Sequence, residues 1–120
     1  FLSGGKGGAT EARARDLGVK HCFVGVKDKV VELKNFYKLI HKTSEKILYI
    51  GDDLNDLVLK NKVSLLIATA DATRPLMKKS DGVLLNKGGD GAVREIAERL
   101  LASKNLWISL KDKGWRDNNI

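Results

Sequence analysis

The 120-residue sequence has one cysteine, one proline and no long apolar run. Cys22 has no second cysteine to pair with, so no intrachain disulfide frames the fold, which fits a reducing, cytoplasmic setting. Its neighbours His21, Phe23 and Val24 mark Cys22 as a small core residue, not a nucleophile. The longest apolar runs, such as Leu65–Ala68, are strand-sized, far short of the roughly 20 residues that a membrane helix needs. No basic segment followed by an apolar stretch opens the chain, so no signal peptide is visible. Aromatic residues make up only 6% of the sequence. Neither a stacking platform, nor zinc-ligand spacing, nor an arginine-rich tract supports nucleic-acid binding. His21 and His41 lack acidic or cysteine partners at ligand spacing and read as structural or surface residues.

What is present is ordinary for a globular domain: 42% hydrophobic and 31% charged residues. The formal net charge is +7. Residues 1–50 hold ten basic and five acidic side chains, and the remainder twelve and ten. The basic first half suits a solvated surface or the steering of a small anion. The opening FLSGGKGGAT suggests a phosphate-binding loop, but it fails as a P-loop, because Lys6 is followed by Gly7 where Ser or Thr is required.

Strand and helix patterns alternate along the chain. Residues 9–17 are rich in helix formers and run into Gly18 as a C-cap. His21–Val26 reads as a strand. Asp28 caps a helix in which Val30, Leu33, Phe36 or Tyr37, and Ile40 recur at helical spacing, ending near Lys42-Thr43. Strands are expected at Lys46–Ile50, Ser64–Ala68 and Val83–Leu85, with short helices at Leu54–Lys60 and Pro75–Lys79. Gly91–Ser103 predicts an amphipathic helix burying Val93, Ile96, Ala97, Leu100 and Leu101. This order predicts an α/β domain over residues 1–103 with a parallel sheet between helical layers, and a tail over 104–120. Chemistry in such sheets collects at the carboxyl ends of strands.

There stands Gly51-Asp52-Asp53-Leu54-Asn55-Asp56. Two acids could serve as helix caps. Three within five residues repel one another unless a cation sits among them, and oxygen-only donors suit Mg²⁺. Gly51 is expected to turn the backbone sharply out of the strand.

Tyr49–Asp56 resembles the fourth motif of haloacid-dehalogenase (HAD) superfamily phosphatases. Lys87-Gly88-Gly89-Asp90-Gly91-Ala92-Val93-Arg94-Glu95 resembles the closing signature of a capless branch. That branch acts on 3-deoxy-octulosonate 8-phosphate and on sialic-acid-type 9-phosphates, and the phosphatase-like module of some CMP-sialic acid synthetases shares the signature. Phe23–Lys29 matches the stretch that carries the branch's phosphate-binding lysine. The resemblance runs from about Leu2 to Leu101.

It implies a HAD-like Rossmannoid three-layer sandwich. It also implies roles for particular residues: Asp52 as direct Mg²⁺ ligand, Asp56 and Asn55 behind it, and Asp53 in support. Lys29 would neutralise charge on the phosphoryl oxygens, and Ser3 would bind the transferring group. Arg13 matches an arginine that can bind the anionic substrate, and Arg94 either contacts a substrate carboxylate or makes a structural ion pair. Gly88, Gly89 and Gly91 supply tight turns into the last helix. Gly5 departs from the pattern, standing where octulosonate phosphatases have Arg and a sialic-type relative has an acid.

The family's Asp-x-Asp nucleophile motif does not precede Ser3. The resemblance therefore implies a sheet truncated at its N-terminal side, an aspartyl-phosphate whose Asp lies upstream, and a 120-residue chain inactive by itself. Capless members are homotetramers acting on a small-molecule sugar acid phosphate, with no nucleic acid or membrane partner. The stretches Gly25–Lys29 and Ile50–Asp56 lean towards the sialic-type side. A non-catalytic oligomerisation module of a nucleotide-sugar synthetase is the alternative. A phospho-acceptor receiver domain has the wrong order, since its lysine follows its acids whereas Lys29 precedes Asp52.

Overall fold

A computed structural model describes residues 1–41 and 47–103. The described residues group into two compact units. The first holds the described residues up to Ile47, with Val58–Ser64; the second holds Leu48–Leu57 and the described residues from Leu65 onward. The expected tail over 104–120 lies outside the described residues.

In the first unit, α1 spans Ala9–Asp16. It ends as its glycine predicts: Gly18 takes φ +70°, the Gly18 amide donates to Arg15 O, and the Val19 amide to Ala14 O. This paired closure satisfies carbonyls that the last turn leaves open. Helix α2 spans Lys29–Ile40, and Asp28 caps it by accepting from the amides of Val30 and Val31 at 3.0 and 3.1 Å. Leu33 is buried, while Val30, Phe36, Tyr37 and Ile40 are half-buried, so the expected apolar face is the inner one.

The strand expected over His21–Val26 is reduced to a single parallel bridge between Leu2 and Phe23. Beyond the bridge, Gly25 takes φ +64°, which no β ladder accommodates. Its amide turns to Gly5 O and that of Val26 to Ser3 O. His21 lies against Phe23 and Phe36, with ring centroids 6.5 and 5.2 Å apart, in keeping with a structural role. Cys22 is half-buried.

The second unit is built on a parallel sheet, β1 (Leu48–Gly51), β2 (Leu65–Ala68) and β3 (Gly82–Val83), in that order. Leu48 stands beside Leu65 and Gly51 beside Ala68. A 3₁₀ helix, Leu54–Leu59, follows β1 where a short α-helix is expected. Helix α3, Arg74–Lys79, carries Pro75 in its first turn, where the missing N–H costs nothing. Leu66 and Leu76 are fully buried. Asp81 ties the start of β2, its carboxylate accepting from the Leu66 amide at 2.8 Å.

Helix α4, Ala92–Ser103, differs from expectation in which face it buries. Ala92 and Glu95 are buried and Ile96 packs on the Ile67–Leu84 core, while Val93 is 71% and Leu100 41% exposed. The helix is turned by about one residue, roughly 100°, from the face that apolar periodicity selects. Glu95 is the cause. Its carboxylate accepts from the amides of Leu85 and Asn86 at 2.8–3.0 Å, ending β3 and orienting α4 against it. Arg99, one turn on, closes the pair at 2.9 Å.

The Leu85 amide first, then those of Asn86 and the Arg99 guanidinium, hold the Glu95 carboxyl below its ordinary value of 4.5. A depressed carboxylate contributes stability above its unfolded value, and that stability is lost as pH falls through the folded one. In the complete protein, Glu95→Gln should therefore lower stability most at neutral pH. The gap from the parent, measured by urea unfolding across pH 3–7, should shrink below about pH 4.

Candidate active site

The acidic loop resolves its own repulsion by dividing the labour among its carboxylates. Asp56, only 3% exposed, turns inward. Its Oδ2 accepts from the amides of Asp52 and Asp53 at 3.0 and 3.1 Å, and its Oδ1 accepts from the Tyr49 hydroxyl at 2.9 Å. Burial, and then the Asp56 charge, push the Tyr49 phenol far above its ordinary value, so it remains a proton donor to Asp56. Asp53 accepts from the Leu54 amide at 2.7 Å, capping the 3₁₀ turn. Asp52 is exposed at the strand's carboxyl end, and so is Asn55.

Gly51 has a different task from the one expected. It remains in β1 and makes no sharp turn with positive φ. A Cβ there would stand 2.7 Å from the Asp56 carboxyl carbon and Oδ2. The glycine thus makes room for the inward carboxylate.

A second chain segment reaches the same loop. The Thr73 amide donates to Asp52 O and the Thr69 amide to Gly51 O, at 3.0 and 3.1 Å. Asp71, between them, accepts from the Gly88 amide at 2.9 Å and from the Thr69 hydroxyl at 2.8 Å. The Gly88 bond first, then the Thr69 hydroxyl, lower the Asp71 carboxyl from its ordinary value. A Cβ on Gly88 would stand 3.7 Å from Asp71 Oδ1 and 3.9 Å from Asp52 Oδ2. Asp71 and Glu95 are the polar residues that sequence reasoning missed. Glu95 had a signal, as an acid among apolar neighbours; Asp71 had none beyond its place after a strand.

Among the described residues no group of three or more His, Cys, Asp or Glu side chains is placed to hold a metal ion. Asp56 is committed to the amides of Asp52 and Asp53, and one Asp53 oxygen to the Leu54 amide, while Asp52 presents an exposed carboxylate at the strand end. One carboxylate fits Mg²⁺, which takes one or two from a protein and keeps waters.

The first unit holds the remaining predicted residues. Ser3 is half-buried: its Oγ accepts from the Gly5 amide at 3.1 Å, and its backbone is fixed by Phe23 and Val26. Lys29 is half-buried at the first position of α2, directly after its cap. Arg13 is exposed on α1. An open groove of about 520 Å³ runs between residues 22–28 and the starts of α1 and α2, but neither Ser3 nor Lys29 lines it. In the second unit Arg94 is exposed, and Gly89 and Gly91 take φ +73° and +89° on the approach to α4. Gly88 adopts no such value and owes its place to Asp71 instead.

No family profile matches the chain. It is 36% identical over 105 residues to the 3-deoxy-D-manno-octulosonate 8-phosphate phosphatase KdsC of Yersinia pestis, covering 88% of this chain and 56% of that protein. The chain is a homologue of HAD-family phosphatases. It thus spans little more than half the length of such a relative.

Two solved structures extend the comparison. The Moraxella catarrhalis octulosonate 8-phosphate phosphatase, crystallised with magnesium, phosphate and KDO, matches with TM-score 0.87. Identity there is 28%, over 95% of this chain and 66% of that one. The cobalt-bound Haemophilus influenzae phosphatase matches at TM-score 0.83 and 33% identity, over 88% of this chain and 62% of that one. The HAD-like α/β fold expected from the motifs is therefore the fold observed. These relatives stand on the octulosonate side, against the lean to sialic-type substrates.

Removing Asp56 leaves the amides of Asp52 and Asp53 and the Tyr49 hydroxyl without their acceptor. Asp56→Ala should destabilise the protein by about 1–3 kcal/mol, and Gly51→Ala should do so in the same direction by evicting the carboxylate. Denaturant unfolding of both variants checks this; unchanged midpoints would contradict the arrangement.

Proposed function

We propose that the complete protein is a Mg²⁺-dependent phosphomonoesterase that hydrolyses the phosphate ester of a 2-keto-3-deoxy sugar acid, with 3-deoxy-octulosonate 8-phosphate as the favoured substrate. The supporting observation is homology at 36% identity to a phosphatase of that ester, joined to a loop that leaves Asp52 outward while Asp56 holds its backbone. The crystallised relatives carry magnesium or cobalt, which supports a divalent cation. The relatives named above are phosphatases, so the reading as a non-catalytic synthetase module draws no support from them.

In this proposal Asp52 holds Mg²⁺, which supplies positive charge against the phosphoryl group when bound. Asp56, Asp53 and Asn55 keep the loop in shape around it. An aspartate upstream of Phe1 attacks phosphorus, and the sugar alkoxide leaves; water then cleaves the aspartyl-phosphate. The Lys29 ammonium neutralises charge on the phosphoryl oxygens as phosphorus becomes five-coordinate. The Ser3 hydroxyl and the neighbouring amide orient that group, and Arg13 attracts the substrate's carboxylate. A cytoplasmic homotetramer is the proposed working form. No helix among the described residues is long and apolar enough to cross a membrane.

Phosphate release from 3-deoxy-octulosonate 8-phosphate by the complete protein tests the proposal. Activity should require Mg²⁺ and fall about 100-fold or more in Asp52→Asn and in Lys29→Ala. Full activity in both variants would overturn the assigned roles, and an inactive parent protein would overturn the function.

A further inference from the structure

Asp71 belongs to none of the motifs that carry the family resemblance, yet it joins two of them. It sits in the segment 69–73, whose backbone is bonded to the acidic loop at both ends: the Thr69 amide to Gly51 O and the Thr73 amide to Asp52 O. From the same segment the Ala70 amide donates to Asn86 O, and the Asp71 carboxylate takes the Gly88 amide. The glycine loop is thus tied to the strand end that bears Asp52. Gly88 lies beside both carboxylates: a Cβ built on it would stand 3.7 Å from Asp71 Oδ1 and 3.9 Å from Asp52 Oδ2. Asp71 is itself exposed, and its Oδ1 accepts two hydrogen bonds within 3 Å, so its side chain is fixed by polar contacts and not by packing.

Resting on the reading of Asp52 as the metal ligand, we propose that Asp71 is a positioning residue. By clamping the Gly88 amide it fixes the 87–89 backbone as a rigid wall beside the Asp52 carboxylate, limiting the directions in which that carboxylate points. A polar partner one step removed from a ligand commonly sets its orientation and, through it, the affinity of the site. The clamp needs an acceptor oxygen, not a charge, so an amide in place of the carboxylate preserves it.

The test compares Asp71→Ala, Asp71→Asn and Asp52→Asn in the complete protein, with Mg²⁺ affinity measured by calorimetry and Gly88 amide exchange followed by NMR. Asp71→Ala should weaken Mg²⁺ binding about tenfold and speed Gly88 exchange, whereas Asp71→Asn should restore both to within about twofold of the parent. Parental Mg²⁺ affinity in Asp71→Ala would overturn the proposal. So would an Asn variant as weak as the Ala variant, since charge and not position would then be the cause. Failure of Asp52→Asn to weaken binding would instead remove Asp52 as the ligand, and the proposal with it. That result is distinguishable from the other two by its own variant.

Discussion

The buried carboxylate of Asp56 is the constraint on which the site depends. A carboxylate out of water must find donors, and among the described residues Asp56 finds the amides of Asp52 and Asp53 and the Tyr49 hydroxyl. The last residue of β1 can only be glycine for this to happen, because any Cβ would occupy the space of the carboxyl group. Strand, glycine, inward acid and outward acid are therefore one unit. The inward carboxylate spends its charge on fixing the backbone, and the fixed backbone presents Asp52 to solvent.

The same device recurs at the other end of the sheet. Glu95 takes the Leu85 and Asn86 amides where β3 ends, as Asp56 takes amides where β1 ends, and Asp71 takes the Gly88 amide between them. Strands in a parallel sheet finish with unpaired backbone groups that water or side chains must satisfy. Here acidic side chains from the following elements satisfy them, and loops 51–56, 69–73 and 85–91 become joined in the second unit. The geometry near Asp52 thus comes from backbone amides held by carboxylates rather than from apolar packing.

Most of the fold was legible because local chemistry and periodicity agreed. Asp28 caps α2, Gly18 closes α1, and the strands expected at Lys46–Ile50 and Ser64–Ala68 appear as β1, Leu48–Gly51, and β2, Leu65–Ala68. Legibility failed where a single polar contact overrode the pattern. The apolar residues of α4 predict a buried Val93 and Leu100, but hydrophobic periodicity carries no information about the amides of residues 85 and 86 that capture Glu95. The strand expected over 21–26 gives way for a related reason: composition favours extension, while Gly25 bends the chain back to Gly5. At the site, three neighbouring acids suggested a cation among them all. Only the fold shows that two are engaged with amides, and the roles of Asp52, Ser3, Lys29 and Arg13 rest on the motif resemblance and on homology.

The division between inward and outward carboxylates is open to direct observation. A crystal of the complete protein grown with Mn²⁺ in place of Mg²⁺ gives an anomalous peak that marks the cation. The account predicts that peak within ligand distance of the Asp52 carboxylate, about 2.1–2.3 Å, with Asp56 still on the amides of Asp52 and Asp53. A peak bound directly by Asp56 or Asp53, with those amides released, would contradict it.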